Sequence, residues 1–550
     1  MTPAGAWTIG LAIAYTVMLV VVGRVLQRRS VAGNTGSGFF VGGRNFSRWT
    51  VAFCITGLFS GSSFIAIMEL SYRTGVSAVW YGVAETVQVL LIALLLVKPL
   101  REKLVVTVTG IIGERFGRVA QALSGIITAF TFPMWSVATA IAFASALTAF
   151  TNLSIYSSII VTAVLLLVFL WAGGMRAVAF TQTMNCIVFV AMLLVGVAAF
   201  LINPGLDGLQ RLAVERPAML DLSSAGVTLI VAWFGTFIVN VLLAQAAFQM
   251  SLSCRTPEEG RKGLFLAAGF GLPLILLGVL LGTAAAIVVP SQDLALVATP
   301  MYIAEVLPAP LTGVFFLGIW ACALGWAGPC QFSGATSLGR DVGRALRPQA
   351  SEQQLIRYTR WSLVLLTVLM IGYAFLRTEQ SAWWNVLAWT LRNGATLSPV
   401  LAAFFWPLAT RRAAVTAMVV GFVSGLLWYN AGGWSPSSFF LGIHPVWVGM
   451  SLNVIVLVTV SLAFTRWRLT IDPIKKRQGA IAATAFAAVT VVAVVNAAWL
   501  QATGLSGLAI FLVVALGTPV VFLWSEKPPL LNADNADDRS APVLPGVSVR

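Results

Sequence analysis

The chain has 550 residues, 59% of them hydrophobic and only 10% charged. That balance excludes a soluble enzyme or nucleic-acid-binding domain and specifies a polytopic membrane protein. The net charge of +15 is gathered in alternate loops and the tail, so it sets orientation in a bilayer and favours anionic lipid.

Apolar runs long enough to span are expected at about 7–26, 49–72, 78–99, 120–149, 156–172, 178–202, 226–250, 264–289, 311–338, 358–376, 383–408, 411–432, 444–465, 479–500 and 505–524. That makes about fifteen transmembrane helices in an all-α integral membrane protein. The first run, Trp7–Leu26, lacks a basic leader and reads as a span rather than a signal peptide. Basic loops follow every odd span, among them Lys98/Arg101/Lys103, Arg255/Arg261/Lys262, Arg411-Arg412 and Lys475-Lys476-Arg477. The alternation predicts a multi-pass plasma (inner) membrane protein with its N-terminus outside and its C-terminus cytoplasmic. The outer loop 203–225 has room for a surface helix. The tail 526–550, rich in Pro, Asp and Asn, reads as disordered. The five cysteines lack metal-ligand spacing and read as free thiols.

The second run is interrupted near its middle by Thr56-Gly57-Leu58-Phe59-Ser60-Gly61-Ser62-Ser63. In hydrocarbon each freed backbone group costs several kcal/mol, so irregular backbone survives only around a protein-lined cavity. Interrupted spans are how many secondary transporters build solute and ion sites. The alternative is a glycine kink at a helix contact.

Three charges stand inside spans: Glu69, Glu85 and Arg392. A charge at mid-membrane costs roughly 2.5–3.5 kcal/mol on insertion scales, so each is a functional candidate. Tyr81, Glu85 and Gln88 share one helix face, as do Asn385, Trp389 and Arg392. Trp233, Phe237 and Asn240 share another, and Gln245 and Gln249 a further one. The plain alternative is a structural Glu85–Arg392 ion pair. Glu69 lies near the outer end and is either wet or paired with Arg73; His444 sits at an outer boundary.

These residues resemble the sodium:solute symporter family, the relatives of sodium-coupled sugar, proline and pantothenate transporters. Gly38-Phe39-Phe40-Val41-Gly42-Gly43-Arg44 resembles the motif before the family's broken helix, and Ser60 and Tyr72-Arg73-Thr74-Gly75 keep that helix's spacing. Gly173-Gly174-Met175-Arg176-Ala177-Val178 with Thr181, then Gln245, Gln249 and Leu252 before Arg255, resemble two later segments. Gly394 and Pro399 fit the end of the core. The resemblance implies the LeuT-type fold: a five-plus-five inverted-repeat core over 35–410, with repeats at about 49–202 and 226–408 and broken helices at spans 2 and 7. Residues 1–34 would be an extra helix and loop, and 411–525 peripheral helices. It implies a symporter of a small-molecule solute with sodium as the family's coupling ion, a proton being the alternative here. With no metal cluster, no nucleophile beside a base and one histidine, the chain reads as not an enzyme, without cofactor or resident metal.

By the same resemblance, sodium would be held by backbone carbonyls at Thr56 and Phe59 and by a Ser-Thr pair falling on Gly325 and Trp326. Neither of the last two offers a side-chain oxygen, and the family's acidic residue after Thr181 is Gln182 here. The sodium site thus reads as degenerate, unless Ser333 or Thr336 replaces it. Ser63 and Tyr81 match solute-lining positions, while Gly82 stands where sugar transporters carry a carboxylate, which disfavours a hexose. The expected solute site comprises Ser63, Tyr81, Glu85, Gln88, Trp233, Asn240, Gln245 and Arg392, with Glu85 or Glu69 carrying a coupling proton. An amino acid or small organic acid fits it. Ordinary sodium symport and a transporter-derived ligand sensor are the alternatives.

Overall fold

Nearly every residue in the computed structural model is helical; it describes residues 2–29, 36–102, 106–171, 174–379 and 382–528. Of the tail expected to be disordered, 526–550, the first residues are described and Glu526 is paired in a short strand; 529–550 lie outside the described residues, as do Lys103 and Gly173. Helix starts follow from the sequence. Ser47, Thr107, Thr256, Ser351 and Thr410 each accept a first-turn backbone N–H, satisfying donors that a helix start leaves orphaned. Pro257 and Pro473 occupy first turns, where the missing N–H costs nothing.

Among the described residues, eleven helices are long and apolar enough to cross a membrane, or twelve with one bent pair counted as a span. The expected count was fifteen. Spans 49–72 and 78–99 fall in one 55-residue run, Arg48–Glu102. Ile155–Trp171 has 17 residues and is short. Ala382–Phe405 carries Asn385, Arg392 and Asn393 along its buried length. The loop 203–225 does hold a helix, Gly205–Glu215, and the turn Pro217–Leu220. Its Met219 carbonyl lies where a Cβ at Gly75 (φ +62°) would be, 1.8 Å away, so only glycine fits between Ala66–Thr74 and Val79–Leu91.

The expected rupture of span 2 takes a gentler form. Arg48–Phe59 passes through a π-helical stretch, Ser60–Ile65, into Ala66–Thr74 without leaving helical geometry. Such a wide turn inserts residues while keeping the backbone bonded, which is why it is found at functional sites. Span 7 bends by 46° between Val227–Asn240 and Gln245–Ser251.

The Ala309–Thr336 helix is the centre of the bundle, buried at every residue from Gly318 onward, and packs on Arg118–Phe150, Met175–Ile202 and Pro3–Arg29. Pro257–Val288 lies along both halves of span 2. Arg411–Ala431 and Pro445–Phe464 close on Ala382–Phe405 through Gly394, Gly421 and Gly449; a Cβ on Gly421 would lie 1.8 Å from the Gly394 carbonyl. Small residues allow such close backbone approach in lipid. Pro399 has no N–H for the Ala395 carbonyl one turn back, and Asn453 Nδ2 donates to it at 2.8 Å and to the Ala417 carbonyl at 2.9 Å. Pro473–Val495 and Ser506–Trp524 pair at the periphery. Arg468–Leu469 and Ser525–Glu526 form a short antiparallel pair, a departure from the all-α expectation.

Candidate functional site

Two cavities stand one above the other beside span 2. The first, about 240 Å³, is lined by Glu69, Arg73, Tyr81, Trp233, Ala382 and His444, among others. The second, about 40 Å³, is lined by Glu85, Gln88, Asn240, Gln245, Trp326 and Arg392, with Trp389 and Phe237. An aromatic cluster separates them: the Tyr81 ring lies 5.6 Å from Trp233, 5.2 Å from Phe237 and 6.0 Å from Trp389. Asn385 Nδ2 donates to the Tyr81 hydroxyl at 3.2 Å. The inner cavity holds a few waters at most, and the cluster stands between it and the larger one.

The π-helical stretch aims Ser63 at span 3, where its hydroxyl donates to the buried carboxylate of Glu85. Opposite, Arg392 is 3% exposed. Its guanidinium donates to Asn240 Oδ1 and lies over the Trp135 ring at 4.4 Å and the Phe132 ring at 5.5 Å. The Arg392 Nε–H has no hydrogen-bond partner, although an unmade bond at a buried charge is costly. Arg392 therefore carries an unused donor beside the inner cavity.

Thr56, Gly57, Ser60, Gln182, Gly325 and Trp326 meet at one place. Pro329 has no N–H, which frees the carbonyl of Gly325 four residues back. Gln182 Nε2 donates to that carbonyl at 2.7 Å. The Gln182 amide lies flat on Gly57, where a Cβ would come within 2.1 Å of its Oε1. Asn185 Nδ2 donates to Gln182 Oε1 at 3.1 Å, and the Tyr15 hydroxyl to Asn185 Oδ1 at 2.9 Å. Carbonyls on the span 2 side are also taken: Ser60 N–H bonds the Thr56 carbonyl, and Ser60 Oγ the Gly57 carbonyl at 2.7 Å. Trp326 packs its Cβ where a Cβ on Gly61 would be, and its Nε1 donates to the Trp135 carbonyl at 2.6 Å. The two glycines of span 2 thus receive Gln182 and Trp326. A hard cation wants oxygen ligands, and here amide hydrogens and an indole stand among them.

The sodium:solute symporter family (SSF) pattern matches residues 39–421. The chain belongs to the sodium:solute symporter family. It is 23% identical over 453 residues to a monocarboxylic acid transporter of Corynebacterium glutamicum, covering 75% of this chain and 82% of that one. It is 23% identical over 486 residues to a sodium/proline symporter of Staphylococcus aureus, covering 81% and 91%. Its fold matches a solved structure of the substrate-bound outward-open state of a Na⁺-coupled sialic acid symporter, at 16% identity and a TM-score of 0.68, over 84% of this chain and 98% of that one. Family membership makes this a multi-pass membrane symporter of a small-molecule solute with a coupling ion, and points away from an enzyme.

Not every expected residue reaches one site. Trp233 and Tyr81 line the outer cavity and not the inner one. Ser63 acts through Glu85. Gln245 lines the inner cavity but is also a tether, its Nε2 donating to the Ser333 carbonyl at 3.0 Å and Ser337 Oγ at 2.8 Å. Glu69 is buried rather than wet, and its carboxyl accepts the Ala382 N–H at 2.7 Å, at the start of the Arg392 helix. His444 is a helix cap, its Nδ1 accepting from Val446 N–H at 3.2 Å. The Phe59 ring packs on Gly271. Ser333, weighed as a substitute sodium ligand, donates its hydroxyl to Gln249, and Thr336 to the Phe332 carbonyl. Trp135, Asn185 and Pro329 are the residues the sequence reading passed over. Of these, Pro329 carried a usable signal, since a proline in a span marks the carbonyl four residues earlier as needing a donor.

Proposed function

We propose that this protein is a proton-coupled symporter of a small carboxylate-bearing solute, operating without sodium. The observation that carries the reading is the Gln182 amide bonded to the Gly325 carbonyl at 2.7 Å, in the place that the family resemblance gives to sodium. Arg392, with an unused Nε–H beside the inner cavity, is the group to receive a carboxylate, since guanidinium and carboxylate match in bidentate geometry. Glu85 lines the same cavity. Two carboxylates in one desolvated space repel, and a proton on Glu85 relieves the repulsion. Solute and proton therefore enter together, with Ser63 hydrogen-bonded to Glu85. Parting of the Tyr81 cluster admits both from the outer cavity. The name of the monocarboxylic acid transporter of C. glutamicum accords with this solute class.

The reading takes the core as two inverted halves, 49–202 and 226–408, among fifteen crossings of the plasma membrane, with the N-terminus outside. Its test is uptake of radiolabelled short monocarboxylates into proteoliposomes under an imposed pH gradient. Glu85→Gln should abolish pH-driven accumulation while leaving counterflow exchange of the solute. Undiminished proton-driven accumulation by Glu85→Gln removes Glu85 from the coupling.

A further inference from the structure

A third cavity, of about 760 Å³, lies away from the solute site, between the Ala382–Phe405 helix and the peripheral helices. Its walls are apolar: Leu397 and Leu401 on the core side, Val454 from Pro445–Phe464, and Phe511, Ala515 and Phe522 from Ser506–Trp524. Lys475 and Lys527 stand at one end, both exposed. From Phe511 to Leu523 the groove follows one helix for about 18 Å at 1.5 Å per residue, comparable with the ~15 Å of hydrocarbon in one leaflet. It is therefore charged at one end and hydrocarbon-like for a leaflet's depth beyond.

The charged end is built. Trp406 supports two of its lining residues, its ring stacked on Phe522 at 4.7 Å and its Nε1 donating to Ser525 Oγ at 2.9 Å. The acidic residue present, Glu526, is already met by Arg468 at 2.8 Å and by the Thr470 hydroxyl at 2.9 Å, so it does not offset the two lysines. Arg411, Arg412, Lys476 and Arg477 belong to helix starts at this same end, adding to a positive field that attracts anionic headgroups.

We propose that this groove is a binding site for an anionic phospholipid, with an acyl chain along Leu401, Ala515 and Phe511 and the phosphate between Lys475 and Lys527. The occupant packs on the helix that carries Arg392, five residues from Leu397, so the lipid is a structural partner of the solute-binding core.

The test is native mass spectrometry of the full-length protein, released from mixed micelles containing phosphatidylglycerol and phosphatidylcholine in equal amounts. At about fivefold per basic residue near the surface, phosphatidylglycerol should be retained about twenty-five-fold over phosphatidylcholine. Lys475→Gln/Lys527→Gln should bring the ratio towards parity. Ala515→Trp, which fills the groove without changing charge, should lower retention of both lipids. Equal retention of the two lipids by the unaltered protein, or an unchanged preference in the double variant, overturns the proposal. So does Ala515→Trp splitting a dimer with lipid retention intact, which would assign the groove to a second copy of the chain.

Discussion

If Gln182 stands in for a missing backbone donor, its energetic value must depend on Pro329. Gln182→Leu keeps the volume but removes the bond to the Gly325 carbonyl. Interhelical hydrogen bonds within membranes average about 0.6 kcal/mol and reach about 1.7. This one is short, and its acceptor has no helical donor, so the upper part of that range applies, about 1.5 kcal/mol. Pro329→Ala returns an N–H to position 329, one turn after Gly325, and restores the i→i−4 bond. In that background Gln182→Leu should cost close to nothing beyond the loss of the Asn185 contact. The four proteins of the cycle, unfolded by denaturant titration in mixed micelles, should give a coupling of about 1–1.5 kcal/mol. Additivity within about 0.3–0.5 kcal/mol would refute the pairing of the amide with the proline-freed carbonyl.

Three further outcomes follow from the same geometry. Arg392→Lys keeps the charge but loses the planar fork over Trp135, and its KM for a carboxylate solute should rise about tenfold to a hundredfold, the value of a charge-assisted bond, read from uptake kinetics. Asn453→Leu strips donors from the Ala395 and Ala417 carbonyls and should destabilise the protein by about 1–3 kcal/mol in the same titration, while leaving coupling-ion preference unchanged. The Thr470 hydroxyl, with Arg468, holds the Glu526 carboxyl below the usual glutamate range. A depressed folded value stabilises above the unfolded value and is lost as pH falls through the folded one. Hydrogen exchange of the Thr470 and Glu526 amides should therefore gain relative protection at neutral pH and lose it in acid; pH-independent protection would exclude that role.

The helices were legible because hydropathy and 3.6-residue spacing speak to length and face, whereas the break in span 7 was expected only from the family resemblance. Periodicity puts Glu85 and Gln88 on one side of a helix, but does not say which neighbour that side meets. Hence Trp233, on a face shared with Asn240, was assigned to the same site although it opens on the outer cavity. The wide turn at Ser60–Ile65 had no signature of its own, since its backbone bonds are made without proline or a positive φ; Gly57 and Gly61 looked like a rupture but serve as seats for Gln182 and Trp326. Glu69 was ambiguous because a cap on a distant helix, Ala382, is a tertiary fact with no local mark. Two prolines were the underused signals: Pro329 and Pro399 each free a carbonyl, and in each case a side-chain amide on another helix answers it.

The central claim meets its most direct test in uptake by the unaltered protein in proteoliposomes, measured with a panel of radiolabelled short monocarboxylates. External sodium is replaced by choline while an inward proton gradient is imposed. Accumulation should be undiminished in choline and abolished when a protonophore collapses the gradient. Accumulation that requires sodium and ignores the protonophore would contradict it.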